Sequence, residues 1–146
     1  MIFQYTWQQV LDGTKSQTRR LVKLGCYERQ VGWSVIRDTV DKQGLHSVKL
    51  WTIGHTYTVQ PGRGQKAVGR IRITGIRQER VQDMTIDDMI AEGIAIYTVA
   101  RGILSDNPPD KRWKFIELWD SIHTKPGTRW NENPPVWVLS FEVVQP

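Results

Sequence analysis

The sequence predicts an α+β, mainly β fold, in which about six strands form a small mixed β-barrel flanked by two or three short helices. Segments that alternate polar and apolar residues, such as 67–76, indicate strands with one buried face. Hairpins and irregular links join the predicted strands, and this favours antiparallel pairing over a parallel sheet. Residues 112–123 place Phe115, Trp119 and Ile122 on one stripe, which is typical of an amphipathic helix.

The composition predicts a single folded domain that covers residues 1–146. Hydrophobic residues make up 39% of the chain and aromatic residues 10%, which excludes a disordered protein. The amino terminus has no signal-peptide pattern, and no apolar run approaches the roughly 18 residues of a membrane span, so we expect a cytoplasmic protein without membrane contact. A single cysteine, Cys26, and the lack of paired Cys or His spacing predict no disulfide, no metal and no other cofactor. We expect a monomer.

The first half of the chain contains one short helix and three strands. The helix is predicted over 5–12 and ends at Gly13, which tolerates a left-handed backbone. Residues 33–40 and 45–53 are predicted strands joined by the turn DKQG. The segment TYTVQP, residues 56–61, is a further strand, which its proline closes.

In the second half, the strand at 67–76 is followed by two helices and a last strand. Thr85 can cap a helix over 85–92, and Gly93 ends it. Residues 94–112 are ambiguous. The amphipathic helix described above then leads to VWVLSFEVV, residues 136–144, which is rich in β-branched and aromatic residues and predicts a strand.

Basic residues cluster between residues 61 and 80. This stretch holds six basic side chains and one acid, Glu79, so its balance equals the whole-chain net charge of +5. Such clustering favours an anionic partner such as RNA, and a merely solvated face is the alternative. The residues predicted to follow an RNA backbone are Arg63, Lys66, Arg70 and Arg72.

The segment LDGTKSQTRR, residues 11–20, is the clearest candidate for chemistry. A lysine amine can act as general base to a hydroxyl only if desolvation or a neighbouring cation lowers its pKa. Lys15 and Thr18 could form such a pair if the backbone bends after Gly13, with Arg19 or Arg20 as the cation. We expect Lys15 and Thr18 on a surface loop, and an ordinary solvated connector is the alternative.

The same segment resembles a known family signature. GTKSQTRR matches the pattern G-x-K-x-x-[E/T]-x-R of the ASCH domain, with Gly13, Lys15, Thr18 and Arg20 in register. The later segments YTVQPGRGQKAVGRIRITGI, DMTIDDMIAEGI, FIELWDSIH and NPPVWVLSFEVV are similar to ASCH segments in the same order. The resemblance spans nearly the whole chain and implies a PUA-like barrel.

With threonine at position 18, the signature is similar to that of the ASCH proteins that act as bacterial N4-acetylcytidine amidohydrolases. The resemblance implies Thr18 as the nucleophile, Lys15 as its base and Glu92 as the acid that orients Lys15 or protonates the leaving nitrogen. Glu79 is the competing acid. Backbone N–H groups near Gly13, or the Arg20 side chain, would stabilise the oxyanion.

Two other functions stay open at this point. The chain resembles RNA-binding PUA-like modules, and some ASCH proteins resemble metal-assisted ribonucleases. The expected partner is therefore a modified nucleoside or an RNA. Residues 24–50 and 94–112 are additional to the compact amidohydrolases and bear on access to the pocket.

Overall fold

The computed structural model describes residues 1–94, 99–100, 103–104 and 112–145. The helices are α1 (Trp7–Asp12), α2 (Ile86–Ala91) and α3 (Arg112–Ile122), together with short 3-10 helices at Val81–Asp83 and Trp130–Glu132. The strands in these ranges are β1 (Gln17–Leu21), β2 (Tyr27–Val31), β3 (Ser34–Asp41), β4 (Gly44–Thr52), β5 (Thr56–Val59), β6 (Gly69–Arg80), β7 (Val99–Ala100), β8 (Ile103–Leu104) and β9 (Pro135–Gln145). Most of the ambiguous segment 94–112 lies outside the described residues.

The strands pair antiparallel in two main sheets. One sheet has the order β1-β9-β6-β5, and the other has the order β2-β3-β4, with β7 and β8 as a separate pair. The α+β, mainly β prediction is confirmed, and so is antiparallel pairing of the strand predicted at 67–76. The predicted helices over 5–12, 85–92 and 112–123 correspond to α1, α2 and α3. No helix of the described ranges has the length and apolar character needed to cross a membrane.

The prediction of a closed barrel is wrong, because the amino-terminal segment occupies the space between the two edge strands. Ile2 forms a parallel bridge to Gln60, which directly follows β5. The carbonyl of Ile2 accepts a hydrogen bond of 2.8 Å from Arg20 in β1. The edges β1 and β5 are therefore linked through this segment, and no ladder joins them in the described part of the chain.

Strand β9 is the centre of the packing because it is buried on both faces. Val136 and Val138 pack in a cluster with residues of α3, whereas Trp137 and Leu139 pack with Val35 of β3. All four β9 residues are 1% exposed or less, so this stretch is apolar at every position. The two sheets and two helices thus share one strand as their common support.

The sequence does not predict β1 and β2 of the two main sheets, and the short pair of β7 and β8 falls in the ambiguous segment 94–112. β1 lies inside the segment that was expected to be a loop, and β2 lies in the segment 24–50. β1 has the sequence QTRRL, in which polar and charged residues are buried, so its pattern does not show an apolar face. Ion pairs compensate the buried charge in the folded chain, and such pairs cannot be read from strand periodicity.

A buried carboxylate holds the second sheet against the first. The Glu28 side chain in β2 has no solvent exposure, and its Oε1 accepts a hydrogen bond of 2.9 Å from Trp137 Nε1. Its Oε2 accepts a hydrogen bond of 2.7 Å from Arg37 Nε in β3. Both carboxylate oxygens therefore have partners, as a buried charge requires.

Replacing Trp137 by Phe should destabilise the fold by about 1–3 kcal/mol, because it leaves a buried carboxylate oxygen unpaired. The control is Trp113→Phe, since Trp113 is 56% exposed and its loss should change the free energy of unfolding by less than about 0.5 kcal/mol. Urea unfolding measures both. If the two variants are equally stable, the hydrogen bond from Trp137 to Glu28 does not hold the two sheets together.

Candidate functional site

The end of α2 is built to lie against the start of β1. Gly93 donates to the carbonyl of Ile90 and Ile94 donates to that of Met89, which is a Schellman ending. Gly93 has a φ of +87°, and a Cβ there would stand 3.2 Å from the Lys15 Cβ. The position therefore needs glycine both for its backbone angle and for its close contact.

Lys15 and Glu92 form a buried ion pair at this junction. The Lys15 Nζ donates to Glu92 Oε2 at 2.5 Å and to the Glu92 carbonyl at 3.1 Å. Both side chains are 5% exposed. Two opposite charges in such an environment compensate each other's loss of hydration, so neither is tolerated here alone.

Arg19 joins the same carboxylate from the other side. Its Nη1 lies 3.0 Å from Glu92 Oε1, and its Nη2 lies 2.7 Å from Glu79 Oε1 and 3.2 Å from Asp88 Oδ2. The structure thus places Glu92 on Lys15, whereas Glu79, the competing acid, contacts Arg19 instead. Glu92 is held between two cations, which fixes the orientation of its carboxylate.

Asp88 anchors the outer side of this network. Burial disfavours its charge, yet the backbone N–H of Thr85 and the guanidinium groups of Arg19 and Arg77 outweigh that effect and hold the pKa of Asp88 below its ordinary value. Arg77 Nη2 lies 2.9 Å from Asp88 Oδ1. Asp88 and Thr85 also form the capping box that begins α2. The Asp88 carboxylate therefore belongs to both the helix cap and the ion network.

A cavity of about 230 Å³ opens beside the ion pair. Lys15, Thr18 and Glu92 line its polar part, and α3 contributes Phe115 and Trp119 to an apolar wall. Within the described residues, no hydrogen bond engages the Thr18 hydroxyl, so its oxygen is available to a bound molecule. The cavity brings a hydroxyl, an amine and a carboxylate together against an aromatic surface.

Arg20 and His123 lie at the same cavity. The Arg20 guanidinium sits 5.2 Å from the centre of the Phe3 ring, and burial lowers its pKa while nearby Glu92 acts in the opposite direction. The centres of the His123 and Trp119 rings are 4.0 Å apart. Burial, followed by the charge of Arg20, lowers the pKa of His123, so its imidazole is neutral near neutral pH.

The other predicted site residues do not line this cavity: Gly13, Arg63, Lys66, Arg70 and Arg72. Gly13 ends α1 with a φ of +85° and serves as its cap. The four basic residues are exposed. The predicted residues thus separate into a pocket group and a surface group.

The expectation that Lys15 and Thr18 lie on a surface loop is wrong. Lys15 is 5% exposed and Thr18 is 6% exposed, and Thr18 belongs to β1, where it pairs with Leu139. The reason is that α2 and its terminal Gly93 cover this part of the chain. Substitutions at Lys15 therefore affect the stability of the fold as well as any chemistry.

Sequence reasoning missed two residues of the site. The sequence presents Arg19 only as one of two neighbouring cations, whereas in the structure its side chain is fully buried at the centre of the network. His123 was not selected, although it follows Trp119 by four residues, a spacing that stacks side chains on one helix face. That spacing was the available signal for His123. For Arg19, the partners come from distant elements and give no local signal.

No group of three or more His, Cys, Asp or Glu side chains in the described ranges could hold a metal ion.

Comparison with solved structures shows two proteins that align with nearly the whole chain. A crystal structure of an Enterococcus faecalis protein, described as family DUF984, aligns with a TM-score of 0.56 at 16% identity, covering 95% of this chain and 69% of that protein. The crystal structure of an ASCH domain from Lactobacillus crispatus aligns with a TM-score of 0.51 at 16% identity, covering 96% and 70%. No family model and no curated protein matches the sequence.

These similarities define the class of fold. The chain is a small α+β protein with two main antiparallel sheets and short helices. Within that class, it has the ASCH-domain fold, as the signature around Lys15 and Thr18 predicted.

Replacing Gly93 by Ala should destabilise the protein by about 1–2 kcal/mol more than Gly13→Ala does. Both positions have nearly the same positive φ, so both variants carry the cost of a left-handed alanine, about 1–2 kcal/mol. Only at Gly93 does the new Cβ press on Lys15, since nothing lies within 4 Å of the position at Gly13. Urea unfolding of both variants measures the difference. Equal destabilisation would show that the contact between α2 and Lys15 is loose.

Proposed function

We propose that the protein is an amidohydrolase that removes the acyl group from N4-acylcytidine-type nucleosides. The observation that carries the proposal is the buried Lys15–Glu92 pair beneath a cavity that Thr18 also lines. The aromatic wall of Phe115 and Trp119 offers a flat apolar surface to a pyrimidine ring. The ASCH-domain fold and the threonine form of its signature support the same assignment.

The reaction begins with a proton transfer inside the buried pair, across the 2.5 Å between Lys15 Nζ and Glu92 Oε2. In the described residues Lys15 contacts Glu92 and makes no hydrogen bond to Thr18, so this step requires the Thr18 hydroxyl to come within hydrogen-bond distance of Lys15 when the ligand binds. The neutral Lys15 then takes the hydroxyl proton as the oxygen bonds to the acyl carbon. Glu92 returns its proton to N4 as the C–N4 bond breaks, which releases cytidine and leaves an ester on Thr18. The proton of Lys15 then passes to Glu92 again, and neutral Lys15 takes a proton from the water that attacks this ester. Lys15 gives that proton to the departing Thr18 oxygen, which restores the hydroxyl and releases the carboxylic acid, and Glu92 returns its proton to Lys15.

Stabilisation of the oxyanion falls to side chains in this mechanism. The backbone N–H groups near Gly13 are already used: Gly13 donates to Val10, Thr14 to Asp12, Lys15 to Gln9 and Ser16 to Ala91. The backbone donors that the sequence suggested are therefore occupied. Lys15, once protonated, is the cation next to the developing charge. Arg19 and Arg20 also line the cavity, and Arg19 is already paired with carboxylates.

Hydrolysis of N4-acetylcytidine should disappear in Thr18→Val, because valine keeps the shape of the side chain and removes the nucleophile. Glu92→Gln should lower kcat by about 10²–10⁴-fold through loss of proton transfer. Release of cytidine, followed by chromatography, measures both, and circular dichroism confirms that each variant is folded.

Thr14→Val is the matched control, since Thr14 is an exposed threonine of the same segment whose hydroxyl bonds, among the described residues, only to Gln9 and Asp12. It should retain the activity of the parent protein. Turnover that persists in Thr18→Val, or the absence of cleavage of any N4-acylcytidine by the parent protein, would refute the amidohydrolase assignment.

A second candidate function, RNA binding, is favoured by the exposed arginines of β6. Ile71 and Ile73 are buried, so Arg70 and Arg72 project together to solvent. Arg72 lies 3.3 Å from Glu142, an exposed pair that contributes little stability. Both guanidinium groups can therefore exchange their present contacts for phosphates.

If this face binds RNA, the double variant Arg70→Ala/Arg72→Ala should reduce the slope of log K against log salt by about two, one unit for each lost phosphate contact. Fluorescence anisotropy with a structured RNA hairpin at several salt concentrations gives the slope. The matched control is Lys42→Ala/Lys49→Ala, which removes two exposed cations of the other sheet and should leave the slope unchanged. An unchanged slope in the arginine variant would identify the β6 face as a solvated surface.

A further inference from the structure

Arg20 is held at the cavity by contacts that do not neutralise its charge. Its Nη2 donates to the carbonyl of Ile2 at 2.8 Å, and its guanidinium rests on the Phe3 ring. Its Nε is buried and has no hydrogen-bond partner among the described residues. The carbonyl and the ring fix the position of the group without supplying a negative charge.

The neighbouring ion network is already balanced without Arg20. In the described residues, its three cations and three carboxylates form ion pairs only with one another: Lys15, Arg19 and Arg77 with Glu79, Asp88 and Glu92. No carboxylate of the described chain lies within ion-pair distance of Arg20. Arg20 is therefore the surplus cation of the site.

The surroundings of Arg20 strengthen its attraction for an anion. Leu118, Trp119 and Ile122 of α3 line the same cavity and keep its dielectric constant low. His123, the other polar group on that side, is neutral near neutral pH because burial and the charge of Arg20 lower its pKa. A neutral imidazole adds a hydrogen-bonding group without adding a competing charge.

We propose that Arg20 is a subsite for an anionic group on the ligand, so that the preferred substrate carries a carboxylate or phosphate in addition to its N4-acyl amide. This inference rests on the proposed function for the identity of the rest of the ligand. It differs from an oxyanion role, because a transient oxyanion leaves the surplus cation unpaired in the resting complex. A permanent anion pairs with it from the moment of binding.

The experiment compares two pairs of ligands with the Thr18→Val protein, which keeps them intact. One pair is N4-(3-carboxypropanoyl)cytidine and its carboxamide analogue, which places the charge on the acyl chain. The other is N4-acetylcytidine 5′-monophosphate and N4-acetylcytidine, which places it on the ribose. Calorimetry gives the dissociation constants, and the pair that shows a preference identifies the source of the anion.

At least one anionic ligand should bind about tenfold more tightly than its neutral partner, because it gains a charge-assisted hydrogen bond from Arg20. Arg20→Met should abolish that preference, and Arg20→Lys should retain part of it. The control Arg129→Met removes an exposed arginine away from the cavity and should leave the preference unchanged. Thermal unfolding verifies that the variants are folded. If Arg20→Met does not fold, the proposal is tested by whether the Thr18→Val protein with Arg20 intact prefers the charged ligand over its neutral partner.

Equal binding of the charged and neutral ligands would overturn the proposal, as would a preference that survives Arg20→Met. If Arg20→Met lowers kcat but leaves the preference for the anionic ligand unchanged, Arg20 stabilises the oxyanion instead. If no cytidine ligand binds, phosphate and succinate are titrated while the His123 ring signals are followed by NMR, and unmoved signals refute the subsite. An Arg20-dependent preference without any hydrolysis by the parent protein would retain the subsite and reject the amidohydrolase.

Discussion

The buried contact between Lys15 and Glu92 is the interaction on which the site and much of the fold depend. It joins the segment before β1 to the end of α2, two parts of the chain that are 77 residues apart. Removing one member of a buried pair costs about 3–5 kcal/mol, whereas an apolar pair of similar volume is often neutral or stabilising. A charged pair therefore joins two elements at a higher cost in free energy than an apolar pair would, and here it lies beside the cavity that Thr18 also lines. Arg19 makes the arrangement rigid by holding the other oxygen of Glu92.

The open sheet explains where the cavity lies. A closed barrel would pair its edge strands, but here residues 1–3 lie between β5 and β1, and Ile2 and Phe3 line the cavity. Phe115 and Trp119 of α3 line the same cavity and complete its wall. β9 supports both sides of this arrangement, because its alternating residues pack against α3 on one face and the second sheet on the other. The segment that separates the edge strands β1 and β5 therefore also forms part of the cavity wall.

The sequence predicted those parts of the structure that depend on local patterns. α2 begins and ends where Thr85 and Gly93 indicated, and the alternation in β6 correctly separated buried isoleucines from exposed arginines. The strand β1 was missed because its charged residues are buried through partners in α2 and β6, which no local pattern reveals. The same reason explains why Arg19 and Arg20, adjacent in sequence, were not distinguished. One is neutralised by three carboxylates, and the other has none in the described chain.

The most direct test of the central interaction is a double-mutant cycle on its two residues. The free energy of unfolding is measured by urea for the parent protein, Lys15→Met, Glu92→Gln and the double variant. The account predicts that each single variant loses about 3 kcal/mol or more and that the double variant loses less than their sum by at least about 1 kcal/mol. The exposed pair Arg72–Glu142 serves as the reference cycle, with a coupling below about 1 kcal/mol. Additive losses at Lys15 and Glu92 would contradict the account, because they would show that the two buried charges do not depend on each other.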